Sequence, residues 1–285
     1  MIKFFNYFLQ SIIIYIFFIL GKIMGITLSR KIFSYLFLNI GHNFKSKRLI
    51  ESNLNIYSKN LTEIKRNEII SGMWKNYGKT FIEYIFLNYF KKNNTHIKIE
   101  GVDKLEKVLK LKKPVIFVSG HFANYELMSM EIVKQNVNLA TIYRPLNNYF
   151  LNPFMEYLRR KYVCKNQIKK GVSGVREAIE YVKKGYSIAL MIDQRVSEGE
   201  KINFFGKSAF TTTLPAQLAL KFDLSIMPVF IERSQNDNFK IKFYKEIDPK
   251  SFNNKSDLTY KLNKVIEEMI IYRPGGWIWT HNRWK

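Results

Sequence analysis

The chain has 285 residues, 47% of them hydrophobic, which suffices for one large α/β domain or for one domain with a helical extension. Lys and Arg number 46 against 23 Asp and Glu, and the formal net charge of +23 points to a polyanionic partner: an anionic membrane, a phosphorylated substrate or nucleic acid. The single cysteine, Cys164, excludes an intrachain disulfide framework and any multi-cysteine metal site.

The first element is an almost continuous run of apolar and aromatic residues from Phe4 to Leu20, between Lys3 and Lys22. Because no small-residue cleavage site follows it, residues 1–22 are predicted to form an uncleaved membrane anchor rather than a signal peptide. The run is at the short edge for a spanning helix, so spanning the bilayer and lying in its interface both fit. A buried core helix is the alternative. The basic residues that follow place this flank on the cytoplasmic side.

Residues 23–95 are predicted to form a helical segment close to the membrane. Within it, residues 26–40 have the pattern of a second amphipathic helix, which either packs onto the domain or contacts the membrane. Between residues 62 and 90, apolar residues recur at helical spacing and predict a long helical region.

From residue 96 the pattern alternates between short apolar strands and amphipathic helices. The predicted strands are 96–100, 115–118, 138–143, 187–192, 225–231 and 239–246. The predicted helices are 102–109, 124–135, 150–162, 174–184, 213–222 and 256–272. This order predicts an α/β fold for residues 96–285, with a mostly parallel central sheet flanked by helices.

The second predicted strand leads into a histidine and, four intervening residues later, a glutamate: His121 and Glu126. Were both in one regular helix, their side chains would lie about 140° apart, so the two can meet only if His121 precedes the helix. Glu126 would then accept the imidazole N–H and leave the other ring nitrogen free as a general base. The alternative is a structural histidine and a carboxylate that favours a helix N-terminus.

Polar residues follow two more predicted strands. Arg144 comes after the third strand, and Asp193 and Gln194 come after the fourth. Ligands of parallel sheets bind beyond the carboxyl ends of the strands, so these residues are expected to converge with His121. Arg144 is a candidate for neutralising a phosphate or a developing oxyanion, and Asp193 for orienting Arg144 or His121.

Lys201, in the segment after Asp193, is a further candidate for holding phosphate, with a solvated surface lysine as the alternative. The sequence offers no convincing nucleophile of its own. Ser173 lacks the spacing of a nucleophile elbow, and Cys164 has no evident catalytic partner. Direct transfer to a bound acceptor is therefore favoured over a covalent enzyme intermediate.

Six segments, in this order, resemble the lipid A late acyltransferases, the lauroyl- and myristoyl-transferring enzymes of the lysophospholipid acyltransferase superfamily. The segments are SGHFANYE at 119–126, IYRP at 142–145, MIDQ at 191–194, FFGKSAFTTT at 204–213, MPVF at 227–230 and PGGWIWTHNRWK at 274–285. The resemblance covers nearly the whole chain. One departure is that Ala123 stands where this family usually has glycine.

The resemblance implies an inner-membrane enzyme whose catalytic domain faces the cytoplasm. It would move a fatty acyl chain from acyl carrier protein, or occasionally coenzyme A, to a hydroxyl of a lipid A precursor, and the acyl donor is a co-substrate rather than a cofactor. The expected partners are acyl carrier protein, an anionic glycolipid and the membrane. No nucleic acid is expected, since the sequence contains no recognisable reading motif. By motif, the implied site residues are His121 as base, Glu126 as its orienting partner, and Arg144 and Asp193 as substrate-binding residues. Gln194 and Lys201 complete the predicted substrate-binding residues, and no metal is expected.

Two alternatives to this reading stay open from the sequence. The acceptor is another glycolipid or a lysophospholipid, or the chain is a basic membrane-binding or nucleic-acid-binding protein without catalysis.

Overall fold

The computed structural model describes residues 2–234 and 236–285, apart from the side chain of Phe44. Within these residues it confirms the predicted α/β class. The strands are β1 (Ile97–Glu100), β2 (Ile116–Ser119), β3 (Leu139–Tyr143), β4 (Asn166–Lys169), β5 (Ser187–Met191), β6 (Glu200–Phe204), β7 (Lys207–Thr211), β8 (Ile226–Arg233) and β9 (Phe239–Phe243). The helices are α1 (Ile2–Phe44), α2 (Lys47–Tyr57), α3 (Glu63–Glu83), α4 (Leu87–Lys92), α5 (Val102–Leu109), α6 (Glu126–Lys134), α7 (Asn152–Leu158), α8 (Val172–Lys183), α9 (Leu214–Phe222) and α10 (Lys255–Tyr272).

The described residues form a seven-stranded sheet in the order β1-β9-β8-β2-β5-β3-β4. From β8 to β4 all neighbours are parallel, whereas β9 runs antiparallel to β8, and β1 is parallel to β9. Strand β2 lies between β8 and β5, and all of its residues are buried. A strand covered on both faces needs apolar residues throughout, which explains its continuous apolar run.

All predicted strands, and the helices predicted after residue 96, are present with ends displaced by a few residues. The helix predicted at 150–162 is α7 followed by a π-helical turn, Arg159–Val163. The sequence does not predict β4 or the antiparallel β6–β7 hairpin, because these strands are short and rich in polar residues.

Helix α1 unites the predicted anchor and the predicted second helix in one run that kinks at Gly25. The φ of Gly25 is +75°, a conformation that glycine adopts readily and other residues do not. The most apolar 18-residue stretch of α1 has a mean hydropathy of 2.2, and only 17% of it is buried. Helix α1 is therefore long and apolar enough to cross a membrane.

The second half of α1 packs tightly against α3. A Cβ atom on Gly78 would lie 2.0 Å from the carbonyl oxygen of Phe33, so the two backbones touch there and a larger residue would separate them. Close by, Arg30 of α1 and Arg233 of β8 both bind the fully buried carboxylate of Glu83. These contacts join α1 and α3 to the sheet.

Candidate active site

Four polar residues lie beyond the carboxyl ends of neighbouring parallel strands. In sheet order they are His121 after β2, Asp193 after β5, Arg144 after β3 and Lys170 after β4. The order in the sheet differs from the order in the chain, because β5 inserts between β2 and β3. This insertion makes Asp193 the neighbour of His121.

His121 is held by Asp193 through two hydrogen bonds. In the β2–β5 register Ser119 is opposite Met191, and two residues further on the same alignment brings His121 opposite Asp193. The ring Nδ1 lies 2.8 Å from Asp193 Oδ1, and the backbone N–H of His121 donates to Oδ2 at 2.9 Å. The indole Nε1 of Trp277 donates to the same Oδ2 at 2.8 Å.

Asp193 remains ionised because its partners outweigh its burial. Burial alone would raise the pKa of this carboxyl, but the His121 charge and the hydrogen bonds from His121 and Trp277 lower it to about 2. An ionised carboxylate on Nδ1 favours the tautomer that carries its proton on that nitrogen, and this leaves Nε2 as an acceptor.

A short loop between β2 and α6 presents the imidazole. His121 precedes the helix, and Glu126 is its first residue, as the sequence predicts. Ala123 has a φ of +43°, which explains why glycine suits this position. The loop is fixed by hydrogen bonds from Ala123 N to the Gly276 carbonyl and from Thr80 Oγ1 to the Ala123 carbonyl.

The prediction that Glu126 accepts a hydrogen bond from the His121 ring is wrong. Glu126 Oε1 instead accepts hydrogen bonds from Arg159 Nε at 2.7 Å and from the Tyr84 hydroxyl at 2.5 Å. The reason is that Asp193 already occupies Nδ1, while the buried guanidinium of Arg159 requires a counter-charge. Glu126 still lines the same cavity as His121, and its catalytic role stays a prediction.

Residues of the C-terminal segment, from Trp277 onward, form hydrogen bonds with Asp193 and Arg195. His281 Nε2 accepts the backbone N–H of Arg195 at 2.9 Å. Burial lowers the pKa of His281 to about 4, so this imidazole is neutral and suited to accept. The fully buried Arg283 donates to the Phe210 carbonyl and to Thr211 Oγ1, both at 2.7 Å. Burial lowers its pKa to about 10, so it stays charged at neutral pH.

His121 faces a cavity of about 820 Å³, within the size range of small-molecule sites. Its polar lining includes Arg144, Lys170 and Gln194. Most of its exposed surface is apolar, contributed by residues that include Ile14, Phe18, Phe81, Met128, Ile142, Leu151, Met155 and Val163. The cavity therefore brings together the imidazole of His121, the cationic side chains of Arg144 and Lys170, and an apolar wall.

Lys201, a predicted phosphate ligand, is not part of this lining. It is exposed on β6, with its ammonium 5.5 Å from the centre of the Phe210 ring. Sequence reasoning also missed Lys170 and Trp277 as site residues. Lys170 follows β4, a strand too polar to be predicted, and only its place beyond a strand end marks it. Trp277 lies in the resembling C-terminal segment, but nothing in that segment indicates its bond to Asp193.

A metal site has no candidate in the described part of the chain, where no cluster of three or more His, Cys, Asp or Glu residues occurs. The groups present instead suit acid–base chemistry on a ligand with a long apolar part: one imidazole held by a carboxylate, cations at the rim and an apolar cavity. The fold and the site thus have the features of an α/β enzyme with a largely apolar ligand pocket.

The chain belongs to the bacterial lipid A biosynthesis acyltransferase family, whose model matches residues 2–285. This family acylates lipids and is membrane-associated. The chain is 24% identical over 192 residues to the lipid A biosynthesis palmitoleoyltransferase of Escherichia coli (strain K12) and, to the same degree, to a lipid A biosynthesis acyltransferase of Shigella flexneri. Each match covers 66% of this chain and 61% of the relative.

Among solved structures, the chain is similar to the 1-acyl-sn-glycerophosphate acyltransferase PlsC from Thermotoga maritima. The sequence identity is 16% and the TM-score is 0.43, with 89% of this chain and 96% of that one covered.

Proposed function

We propose that this protein transfers a fatty acyl chain from the thioester of acyl carrier protein, or of coenzyme A, to a hydroxyl of a lipid A precursor at the cytoplasmic face of the inner membrane. The observation that carries the proposal is the ring of His121, bound at Nδ1 by Asp193 within a largely apolar cavity. Membership of an acyltransferase family supports it.

His121 acts as the general base in this proposal. With the Nδ1 proton donated to Asp193, Nε2 accepts the proton of the acceptor hydroxyl as its oxygen attacks the thioester carbonyl. The carbon–oxygen bond forms, the carbon–sulfur bond breaks, and the proton passes from the imidazolium to the departing thiolate. The ionised Asp193 stabilises the transient imidazolium.

Arg144 and Lys170 supply positive charge at the cavity. Neither makes an ion pair with a carboxylate of the described residues, so both are available to an anionic ligand. Partial burial and the adjacent Arg144 lower the pKa of Lys170, and a bound anion would relieve this repulsion. They are the proposed contacts for a substrate phosphate or for the oxyanion that forms during transfer.

The decisive experiment is mass spectrometry of lipid A from a host that lacks its own late acyltransferases, with and without this gene. We expect an added mass equal to one acyl group. The His121→Ala variant is expected to lose transfer by roughly a thousandfold, as removal of a general base commonly does. His42→Ala is the matched control, because His42 is exposed near the end of α1.

Other outcomes would overturn the proposal. Wild-type transfer rates in the His121→Ala protein would remove the catalytic assignment. An added acyl group on phospholipid, with lipid A unchanged, would indicate a lysophospholipid acceptor. Steeply salt-dependent binding to nucleic acid or vesicles without any acyl transfer would indicate a binding protein.

A further inference from the structure

One face of the N-terminal helix forms part of the cavity. Tyr7, Gln10, Ile14 and Phe18 of α1 line it together with His121. Their spacing of three or four residues places them on the same side of a helix. A helix that served only to attach the chain to a membrane would not need a face directed at the reacting groups.

The helix is held against the cavity by direct bonds. The side-chain amide of Asn148 donates to the carbonyl of Tyr7 at 2.8 Å, and the hydroxyl of Tyr15 donates to the carbonyl of Phe150, also at 2.8 Å. The ring of Phe150 lies edge-on to the ring of Phe8. Asn148 is itself buried and fixes the loop by accepting the backbone N–H of Phe150. The cavity-facing side of α1 therefore has a defined position relative to the loop that follows β3.

The opposite face of the same helix is open. Ile13 and Ile16 are 51% and 48% exposed, and Ile23 is 77% exposed. A continuous apolar surface of this kind marks contact with a membrane. With the open face of α1 in contact with a membrane, the cavity on its other face would adjoin the lipid.

We propose that α1 is a wall of the acyl-binding site, and that Ile14 and Phe18 touch the transferred fatty chain and select its length. This inference rests on the proposed function. The carbonyl under attack must lie beside His121, and the chain attached to it needs the adjoining apolar surface, which α1 helps to supply. Burial of each methylene changes affinity by about fourfold, so a wall that is displaced by the length of two methylenes changes selectivity by roughly fifteenfold.

The first test compares neighbouring isoleucines. Ile14→Ala enlarges the cavity and Ile14→Phe shortens it, whereas Ile13→Ala and Ile13→Phe change only the exposed face. The full-length proteins compete for a mixture of acyl donors of graded length, and mass spectrometry measures the products. We expect roughly fifteenfold shifts towards longer chains for Ile14→Ala and towards shorter chains for Ile14→Phe, with wild-type proportions in both Ile13 variants.

The second test uses the wild-type protein, so it does not depend on the folding of a variant. An acyl donor with a photoreactive diazirine near the end of its chain is irradiated in the membrane-bound enzyme, and the labelled residues are identified. We expect label on Ile14 or Phe18. Label confined to the open face, on Ile12, Ile13 or Ile16, would overturn the inference, as would unchanged product lengths in both Ile14 variants.

These failures differ from failure of the proposed function. If the wild-type protein acylates lipid A but its product lengths do not depend on Ile14, only the role of α1 is wrong. If the wild-type protein transfers no chain to any acceptor, the proposed function is wrong, and the inference that rests on it falls too.

Discussion

Asp193 controls both the position and the proton of the His121 ring. Its two carboxylate oxygens bind the ring and the backbone of the same residue, so the imidazole cannot turn without breaking one bond or the other. The indole N–H of Trp277 donates a third hydrogen bond to this carboxylate and so helps to fix its position. A base held in this way loses little freedom when the substrate binds.

We expect Asp193→Asn to lower kcat by roughly a thousandfold, because an amide either donates to Nδ1 or holds the ring less firmly and so disturbs the tautomer. The measurement is steady-state acyl transfer by the purified variant. Asp223→Asn is the control, since Asp223 pairs with Lys113 and Lys250 at the surface. Equal kcat values for Asp193→Asn and the wild type would refute the role of Asp193.

The Asp193→Asn substitution should also change how the free energy of unfolding depends on pH. The pKa of Asp193 is about 2, below its ordinary value of 3.8, so its ionised form stabilises the fold above about pH 4, and this stabilisation is lost as the pH falls towards 2. The wild-type advantage over Asp193→Asn in free energy of unfolding should therefore shrink by about 2 kcal/mol across that range. Denaturant titrations at several pH values measure it.

The sequence predicts His121 and offers two partners for it, Glu126 and Asp193, but it does not decide between them, for a physical reason. An apolar strand followed by Ser119-Gly120 marks the turn from local residues alone. Asp193 is also found at a strand end, but its contact with His121 depends on β5 lying beside β2. Strand adjacency results from long-range packing, and no local pattern in this chain encodes it. Glu126 lies nearer to His121 in the sequence, so the local pattern favours Glu126 as the partner.

At the scale of elements, Glu83 connects three parts of the fold. Its carboxylate lies between Arg30 of α1 and Arg233 of β8, and it also accepts a hydrogen bond from the side chain of Asn124. Burial would raise the pKa of Glu83, but the charges of Arg233 and Arg30 outweigh it and lower that pKa. The fold therefore contains an ionised carboxylate at the junction of α1, α3 and the sheet.

Glu83→Gln should cost about 3–5 kcal/mol of unfolding free energy, because it leaves two largely buried guanidinium groups without their counter-charge. Glu68→Gln on the same helix is the matched control. Glu68 pairs with Lys65 at an exposed position, so its loss should cost less than about 1 kcal/mol. Chemical denaturation of the full-length protein in detergent measures both. Equal losses of unfolding free energy for the two substitutions would show that the buried ion pairs of Glu83 contribute no more to stability than an exposed pair.

The elements differ in how far the sequence predicts them. Long periodic segments such as α3 and α10 are predicted because one face of each is buried in the core. The hairpin of β6 and β7 is not, because its strands pair mainly with each other and carry Lys201, Asn203 and Lys207 among their apolar residues. For α1 the sequence predicts two separate helices rather than one kinked run. It does not predict which side of α1 faces the cavity, since apolar residues surround most of the first half of the helix.

At the scale of the whole molecule, two properties act together on location and partners. Helix α1 exposes a large apolar surface, and the chain carries a formal net charge of +23. Apolar contact resists salt, whereas attraction between charges does not. Membrane attachment and docking of an acidic carrier protein are therefore expected to respond differently to ionic strength.

Raising the salt concentration from about 0.1 M to about 1 M shortens the Debye length from about 10 Å to about 3 Å. Over this range we expect the KM for acyl carrier protein donors to rise roughly tenfold, because screening removes the attraction between the acidic carrier and this basic protein. Sedimentation with membranes should not change, since the apolar surface of α1 holds the protein there. An acyl-pantetheine donor, which has no charge, serves as the control, and its KM should stay constant. If the KM for the carrier protein is equally insensitive to salt, the net charge of the chain has no part in docking the donor.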